Sequence, residues 1–342
     1  MSPWAEMELF LGAEIEIFGN IACLRQRGKI REGAEKFGDL TLAINPKRRA
    51  RNSPLPHNAL EDDDCLHPDE LELCNSDEIT VYQEIVGLVN WICSIRQDGK
   101  FAYSVVAERQ SKPRKWDMRC AVWFLEFLIN TVDWPLVLGG DTIDFSAKSD
   151  ASHGNRKERR STVGVMLRTG PLSGAVLTES SVIKVAVTAV FDAELIGGSR
   201  AIDMMQFGLN MCEDLRYENL GSRLVTVDSE SVVEWFDTTK INARSRHVQI
   251  KYYHIRHSVQ EGLCCFGWEE GGENETDMLT KVMSVRGNTK CARKLLGHCL
   301  MQGHGVLGII EEETVEVMLA QCAHSDAHCQ SLGAAIANDR GV

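Results

Sequence analysis

Long hydrophobic runs are scarce in this 342-residue sequence. The most apolar stretch, Ala121 to Ile129, is interrupted by Glu126 and falls far short of the ~20 residues that a bilayer crossing needs, so no membrane partner is expected. The opening MSPWAEMELFLGAEIEIF has no basic n-region, and Glu6, Glu8, Glu14 and Glu16 break its apolar runs; both features argue against a signal peptide. The 12 cysteines follow no framework spacing. Without a secretory signal they read as reduced thiols, and the chain reads as a soluble intracellular protein, cytoplasmic or nuclear. Repeats and low-complexity tracts are also absent. The 44% hydrophobic content is that of a globular chain long enough for two ordinary domains.

Positive charge is in short supply too. There are 37 Lys and Arg against 49 Asp and Glu, giving a net charge of -12 and a pI of about 5.4. On its face this weighs against a nucleic-acid partner, because phosphate binding is driven by Lys and Arg. The distribution changes the reading. Between Glu61 and Glu78 there are nine acids and no Lys or Arg, whereas Asp141 to Lys281 holds 16 basic against 21 acidic residues.

Along the chain, residues 1–46 alternate through Phe10, Gly12, Ile15 and Ile17 and then turn helical through Leu24, Ile30, Ala34 and Phe37, which predicts a strand or hairpin followed by one helix. Residues 47–78 combine Lys47, Arg48, Arg49 and Arg51 with the prolines of SPLP and the acidic run, and read as an exposed charged linker and hinge. Helical spacing of Val81, Ile85, Leu88, Val89 and Ile92, and of Trp116, Val122, Trp123, Leu125 and Ile129, marks 79–140 as a helical unit. From 141 to 283 short β runs (143–149, 163–168, 174–178, 224–227, 263–268) are interleaved with helical stretches, a mixed α/β order. Residues 284–342 show one helix candidate, at 313–320, and otherwise little pattern.

Four carboxylates stand where such a fold puts chemistry. Asp150 ends one expected strand (KSDAS) and Asp228 another (LVTVDSES); Glu194 lies on the helix candidate FDAELIGG, and Asp277 opens a helical turn in ETDMLTK. Acids at strand ends and on flanking helices can converge at one sheet edge, where paired divalent ions make a phosphodiesterase centre. Taken singly, each is more often a capping or solvated acid, and spacing alone does not pick out a site.

The surrounding words do. RRSTVG (159–164), the AEL around Glu194, VDSES (227–231), RSRHVQIKYYHIR (244–256) and TDMLTK (276–281) occur in the order and approximate spacing of the ribonuclease H domain of copia-type LTR-retrotransposon Pol polyproteins. Upstream, ELFLGAEIE (8–16) and YQEIVGLVNWICSIRQDG (82–99) resemble the end of the reverse transcriptase of these elements. The resemblance covers roughly 8–283. It implies an α/β fold with a ribonuclease H-like mixed five-stranded sheet and flanking helices, preceded by a smaller, mostly helical thumb or connection remnant. It further implies two-metal hydrolysis of the RNA strand of RNA–DNA hybrids, with Asp150, Glu194, Asp228 and Asp277 as catalytic residues and ligands of Mg2+ or Mn2+. Asp192 matches a further acidic position and is read as a neighbour. Partners implied are the hybrid and the missing polymerase portion or other retroelement proteins. No YVDD-like turn occurs in the chain, so polymerase activity is not expected.

The sequence departs from the family pattern at several places. Gly197 and Gly198 fall inside the helix expected to carry Glu194, where each costs ~1 kcal/mol relative to Ala. Ser229 and Glu230 replace Asn and Gln, Gln97 replaces Pro, and Ser181 and Val182 occupy the region of an expected Lys–Gln pair. The alternative these leave open is an inactive remnant serving as a nucleic-acid-binding or protein-interaction module. For nucleic-acid contact the densest basic and aromatic run supplies Arg244, Arg246, His247, Lys251, Tyr252, His254 and Arg256, with a second patch at Arg156, Lys157, Arg159 and Arg160. A solvated or half-buried helix is the plainer reading of the same run. Cys322, His324, His328 and Cys329 lie too close together for an ordinary zinc module, which separates its ligand pairs by a longer loop.

Overall fold

The computed structural model describes residues 9–10, 12–61, 63–140, 143–185, 187–218, 220–236 and 249–303. Arg244, Arg246, His247, the Cys322 to Cys329 cluster and the helix expected at 313–320 lie outside the described residues.

The first part of the chain closes on itself. Strands β1 (Leu9–Phe10), β2 (Ala13–Phe18) and β3 (Ile21–Arg25) pair antiparallel, and β4 (Leu136–Gly139) returns to pair with β3, Ile21 opposite Gly139. The two-residue turn between β2 and β3 needs positive φ, which Gly19 supplies at 62°. Between β3 and β4 come α1 (Arg27–Lys36), α2 (Gly38–Ile44), α3 (Pro68–Leu71), α4 (Ser76–Ile92), α5 (Lys100–Ala107) and α6 (Lys115–Asn130). Helix α4 starts where Asn75 accepts the amides of Asp77 and Glu78 while Glu78 reaches back to the Asn75 amide, a reciprocal cap that satisfies otherwise orphaned donors. Its inward face, Tyr82, Ile85, Val86, Val89 and Ile92, meets Ala121, Phe124, Leu125 and Leu128 of α6 in one apolar core.

The charged stretch 47–78 is more than a hinge. Ser53 to Pro56 are buried, Leu55 sits in the helical core at 2% exposure, and Trp123 Nε1 donates to the Ser53 carbonyl at 2.9 Å. Proline carries no N–H, so SPLP brings fewer donors needing partners when it is buried. Midway along this stretch Asp63 pairs with Arg114 at 2.6 Å.

The second part is the mixed five-stranded sheet that the resemblance implied. Its strands are β5 (Ile143–Ser152), β6 (Thr162–Arg168), β7 (Ala175–Val182), β8 (Leu220–Val227) and β9 (Cys265–Trp268), in the order β7-β6-β5-β8-β9. The first three pair antiparallel; β8 runs parallel to β5, and β9 to β8. Parallel neighbours need helical crossovers: α7 (Val190–Asp214) leads to β8, and α8 (Glu230–Phe236) and α9 (Gln249–Gln260) lead to β9. One face of the sheet packs Phe145, Val163, Val165 and Val225 against Leu195 and Ile202 of α7 and Tyr252 and Ile255 of α9. Residues of β6 are buried throughout because the other face is also covered, by Met278 and Leu279 of a 3-10 turn (Glu275–Leu279) and by Ala292 and Leu295 of α10 (Val285–Leu295). A short α11 (His298–Gly303) follows.

Two features differ from the sequence reading. Gly197 and Gly198 do not break α7, which runs through them. A Cβ on Gly197 would lie 3.2 Å from Ser149 Oγ, and one on Gly198 would lie 2.9 Å from the Phe266 ring, so the glycines let the helix sit close on the sheet. The helix α10 was not expected, since its buried face of Asn288, Cys291, Ala292 and Leu295 keeps helical spacing with only small and polar side chains before the last position.

Candidate metal and nucleic-acid site

The parallel pairing of central β5 with β8 ends at Ser149 opposite Val227, so the next residues, Asp150 within β5 and Asp228 just past β8, lie side by side. Glu194 reaches the same point from the first turns of α7. One carboxylate oxygen each from Asp150, Glu194 and Asp228 lies within 4.8 Å of the others. Asp150 and Glu194 are each 4% exposed and Asp228 is half-buried.

Asp277 stands beside this triad rather than within the same 4.8 Å cluster. Its negative charge raises the pKa of both Asp150 and Asp228, and its Oδ1 pairs with Lys281 Nζ at 2.6 Å. Asp192, two residues before Glu194, is outside the cluster; its Oδ2 accepts from Thr188 Oγ1 at 3.1 Å.

Burial and crowding set the electrostatics. Burial first, then the charges of Asp150 and Asp228, push the Glu194 carboxyl up to about 9. Asp150 is pushed up to about 6 by burial, against a lowering hydrogen bond from Thr280, and Asp228 is raised by burial and by Asp277. Lys281 is the local counter-charge: burial disfavours its ammonium, but the Asp277 hydrogen bond and the fields of Asp150 and Asp228 outweigh this and raise its pKa.

Neighbouring groups aim the carboxylates. The Thr280 hydroxyl donates to Asp150 Oδ2, and the Ala151 amide donates to Glu194 Oε1 at 3.3 Å. Gly164, paired with Asp150 across the ladder, leaves room for the 275–279 turn: a Cβ there would lie 2.6 Å from Leu279 Cβ and 2.9 Å from Thr280 Cγ2. That turn is tied down at several points. Asn274 Nδ2 donates to the Ser149 carbonyl at 3.1 Å, Asn155 Nδ2 to the Thr280 carbonyl at 2.6 Å and Ser180 Oγ to the Leu279 carbonyl at 2.7 Å. Buried Glu275 pairs with Arg168 and with Lys148, the latter at 3.3 Å, and Lys148 also meets Glu269 at 2.5 Å. Thr280 and Lys281 belong to the quoted TDMLTK word, yet sequence reasoning gave them no role; neither residue type is itself a metal ligand signal.

Glu194 Oε2 is buried without a hydrogen-bond partner. An orphaned carboxylate oxygen beside two more acids, all hard oxygen donors, suits a divalent cation such as Mg2+.

The basic run divides. Lys251 and Arg256 are half-buried on α9, and His254 is bonded through Nδ1 to Ser199 Oγ at 2.9 Å and faces Asp203 at 3.5 Å. Tyr252 is a correction: at 1% exposure it is part of the sheet core, because with Ile255 it makes the inward face of α9. The rings that α9 presents to solvent are those of Tyr253, 52% exposed, and His257. The patch at 156–160 is also corrected in part. Arg156 is buried, donating to Ser104 Oγ at 2.6 Å and Thr162 Oγ1 at 3.0 Å, and Arg160 pairs with Glu108 at 2.5 Å; both fasten α5 to the sheet instead of facing a ligand.

The departures from the family pattern have local explanations. Ser229 precedes α8 and Glu230 opens it, a hydroxyl and an acid that suit a helix start. Gln97 is buried and accepts from Thr178 Oγ1 of β7 while donating to the Ser94 carbonyl at 3.0 Å. Ser181 bonds Arg200 of α7.

No family model matches the chain. It is 25% identical over 219 residues to the retrovirus-related Pol polyprotein from transposon TNT 1-94 of Nicotiana tabacum, a match covering 63% of this chain and 16% of that one. It is 22% identical over 209 residues to the retrovirus-related Pol polyprotein from transposon RE1 of Arabidopsis thaliana, covering 60% and 14%. The match thus spans about one sixth of the length of these curated relatives. Similar solved structures include LC11-RNase H1 from compost (18% identity, 40% of this chain and 92% of that one, TM-score 0.32) and the N-terminal RNase H domain of a Mycobacterium tuberculosis protein (15%, 44% and 98%, TM-score 0.29). No helix among the described residues is long and apolar enough to cross a membrane. In sequence the chain is similar to the C-terminal part of copia-type retrotransposon Pol polyproteins, and its second half is a mixed five-stranded sheet with flanking helices.

Proposed function

We propose that this chain is a divalent-metal-dependent ribonuclease H that cleaves the RNA strand of RNA–DNA hybrids. The observation that carries the reading is the convergence of Asp150, Glu194 and Asp228 within 4.8 Å at the end of the central strands. These three would hold the cation, Mg2+ or Mn2+, with Asp277 and its Lys281 partner completing the site. When bound, the ions supply charge neutralisation at the scissile phosphate and a more acidic attacking water.

The protein's own groups do the positioning. Thr280 fixes the Asp150 carboxylate through its hydroxyl, the Ala151 amide fixes Glu194, and Lys281 lowers the negative potential that would otherwise repel a phosphate. We assign contact with the hybrid backbone to Lys251, His254 and Arg256 of α9 and, on the sequence alone, to Arg244, Arg246 and His247; Tyr252 supports α9 from the core. We assign 141–283 to the ribonuclease H domain, 1–46 and 79–140 to a reverse-transcriptase remnant joined by the charged segment 47–78, and leave 284–342 without a function. The polymerase portion or other retroelement proteins are the partners this organisation suggests.

The test is cleavage of a labelled hybrid by purified full-length protein. Cleavage is expected with Mg2+ or Mn2+ and not in EDTA, and Asp228→Asn should reduce it by at least about a hundredfold, the scale of removing a charge-stabilising group. Cleavage that survives EDTA or this substitution removes the assignment.

A further inference from the structure

Apart from the carboxylates, the described residues hold a cavity of about 430 Å3 between the end of α2, the 46–58 segment and α6. Its volume lies within the ~300–1,000 Å3 of ordinary ligand sites. In a chain of net charge -12, the cavity is lined by Lys47, Arg49, Arg51 and Arg119 against a single acid, Glu70. His57, Trp116 and Trp123 complete the chemistry of the wall.

These cations are not equivalent. Arg51 is paired with Glu126 at 2.9 Å and its guanidinium carbon sits over the Trp123 ring, 3.7 Å from its centroid; Arg119 is paired with Glu70. Among the described residues the side chains of Lys47 and Arg49 have no ion-pair partner, and both are exposed at the rim. Trp116 is 6% exposed and its Nε1 has no hydrogen-bond partner. Two unpaired cations beside an arginine-on-indole stack present an anion-binding element and a flat π surface together. Inorganic phosphate would use the first and leave the second bare, and so would an acidic peptide.

We propose that this cavity is a nucleotide site, in which a base packs on the Arg51–Trp123 stack and its phosphate is held by Lys47 and Arg49. The nucleotide could be free or part of a single strand, since the chemistry is the same. None of the four acidic residues takes part, so the proposal stands or falls separately from the nuclease reading.

The test is calorimetric titration of full-length protein with adenosine monophosphate, adenosine, inorganic phosphate and a short oligoadenylate. Adenosine monophosphate should bind at least about tenfold more tightly than adenosine or phosphate alone, because each supplies only one of the two contacts. Lys47→Glu/Arg49→Glu, at exposed positions, should abolish this binding without changing the melting curve. Trp123→Leu should weaken it by about tenfold, the scale of one lost stacking contact. If a strand is the ligand, the oligoadenylate binds more tightly than the mononucleotide, and the double variant flattens its salt dependence by about 1.4 in log–log slope; if a free nucleotide is the ligand, the two bind alike. Binding of phosphate as tight as the mononucleotide, undiminished binding by the double variant, or no binding of either nucleotide form overturns the proposal.

Discussion

Replacing Glu194 with Gln should stabilise the metal-free protein, and the structure sets the size and the pH window of the effect. The unfolded chain ionises this carboxyl above its ordinary value of 4.5, whereas burial and the neighbouring acids hold the proton in the folded chain up to about 9. Between those values the unfolded state binds fewer protons, so folding loses ~1.4 kcal/mol of stability per pH unit as pH rises. The stability is therefore intact below pH 4.5 and has fallen by roughly 3 kcal/mol at pH 7. Gln keeps the shape and an oxygen for the Ala151 amide but has no proton to lose. In EDTA at pH 7 the variant should melt about 6–12 °C higher, taking ~2–4 °C per kcal/mol for a domain of this size, while at pH 5 the two proteins should nearly coincide. Mg2+ should stabilise the wild type, by ~2.7 kcal/mol at a hundred times its dissociation constant, and the variant less. Scanning calorimetry across pH 5–8 with EDTA or Mg2+ makes the comparison. Equal melting temperatures in EDTA at pH 7, or a gap that does not widen with pH, would show that Glu194 is not buried among other acids.

Gly198→Val should cost ~1–3 kcal/mol by overpacking against Phe266, and denaturant melts should show it; no loss would mean that α7 does not sit this close to the sheet. Arg96 is buried in a two-pronged pair with Asp98, with bonds to Thr131 as well. Arg96→Met, which strands that carboxylate, should cost ~3–5 kcal/mol, and adding Asp98→Leu should recover most of it; a second loss on top of the first would refute this. Neutralising Arg244, Arg246 and Lys251 together should weaken hybrid binding to a similar extent for all sequences and reduce the salt slope by up to ~0.9 per lost contact, taking duplex DNA as the guide. A sequence-selective loss would point to base contacts instead.

What could be read in the sequence follows from which signals are local. Asp228 follows directly on β8, as a short β run stopping at an acid suggests, whereas β5 runs on through Asp150 to Ser152; the quoted words tied both acids to Glu194 and Asp277. The detailed arrangement was not legible, because it depends on tertiary contacts. Gly197, Gly198 and Gly164 look like defects until the Ser149, Phe266 and Leu279 side chains pressed against their positions are known. Tyr252 reads as a ligand contact because a basic, aromatic run looks the same whether its rings face in or out; its spacing to Ile255, three residues on, is the signal for the core. The burial of SPLP was masked by the charged residues on either side, and α10 by an inward face made mostly of small and polar side chains.

The strap at 274–281 also orders events during synthesis. Asp150, Glu194 and Asp228 can be present on a nascent chain well before Asn274, Glu275, Thr280 and Lys281 exist, and the hydrogen bonds and ion pairs that hold the edge of the sheet span 99–130 residues of chain. At ~5–20 residues per second the ribosome needs roughly 3–10 s to go from Asp228 to Lys281. Throughout that interval the crowded acids lack their counter-charge and the hydroxyl that orients Asp150. A chain stalled before residue 274 would therefore carry the triad's letters in an unbraced sheet edge, and the site would take its final form only once the strap had cleared the exit tunnel.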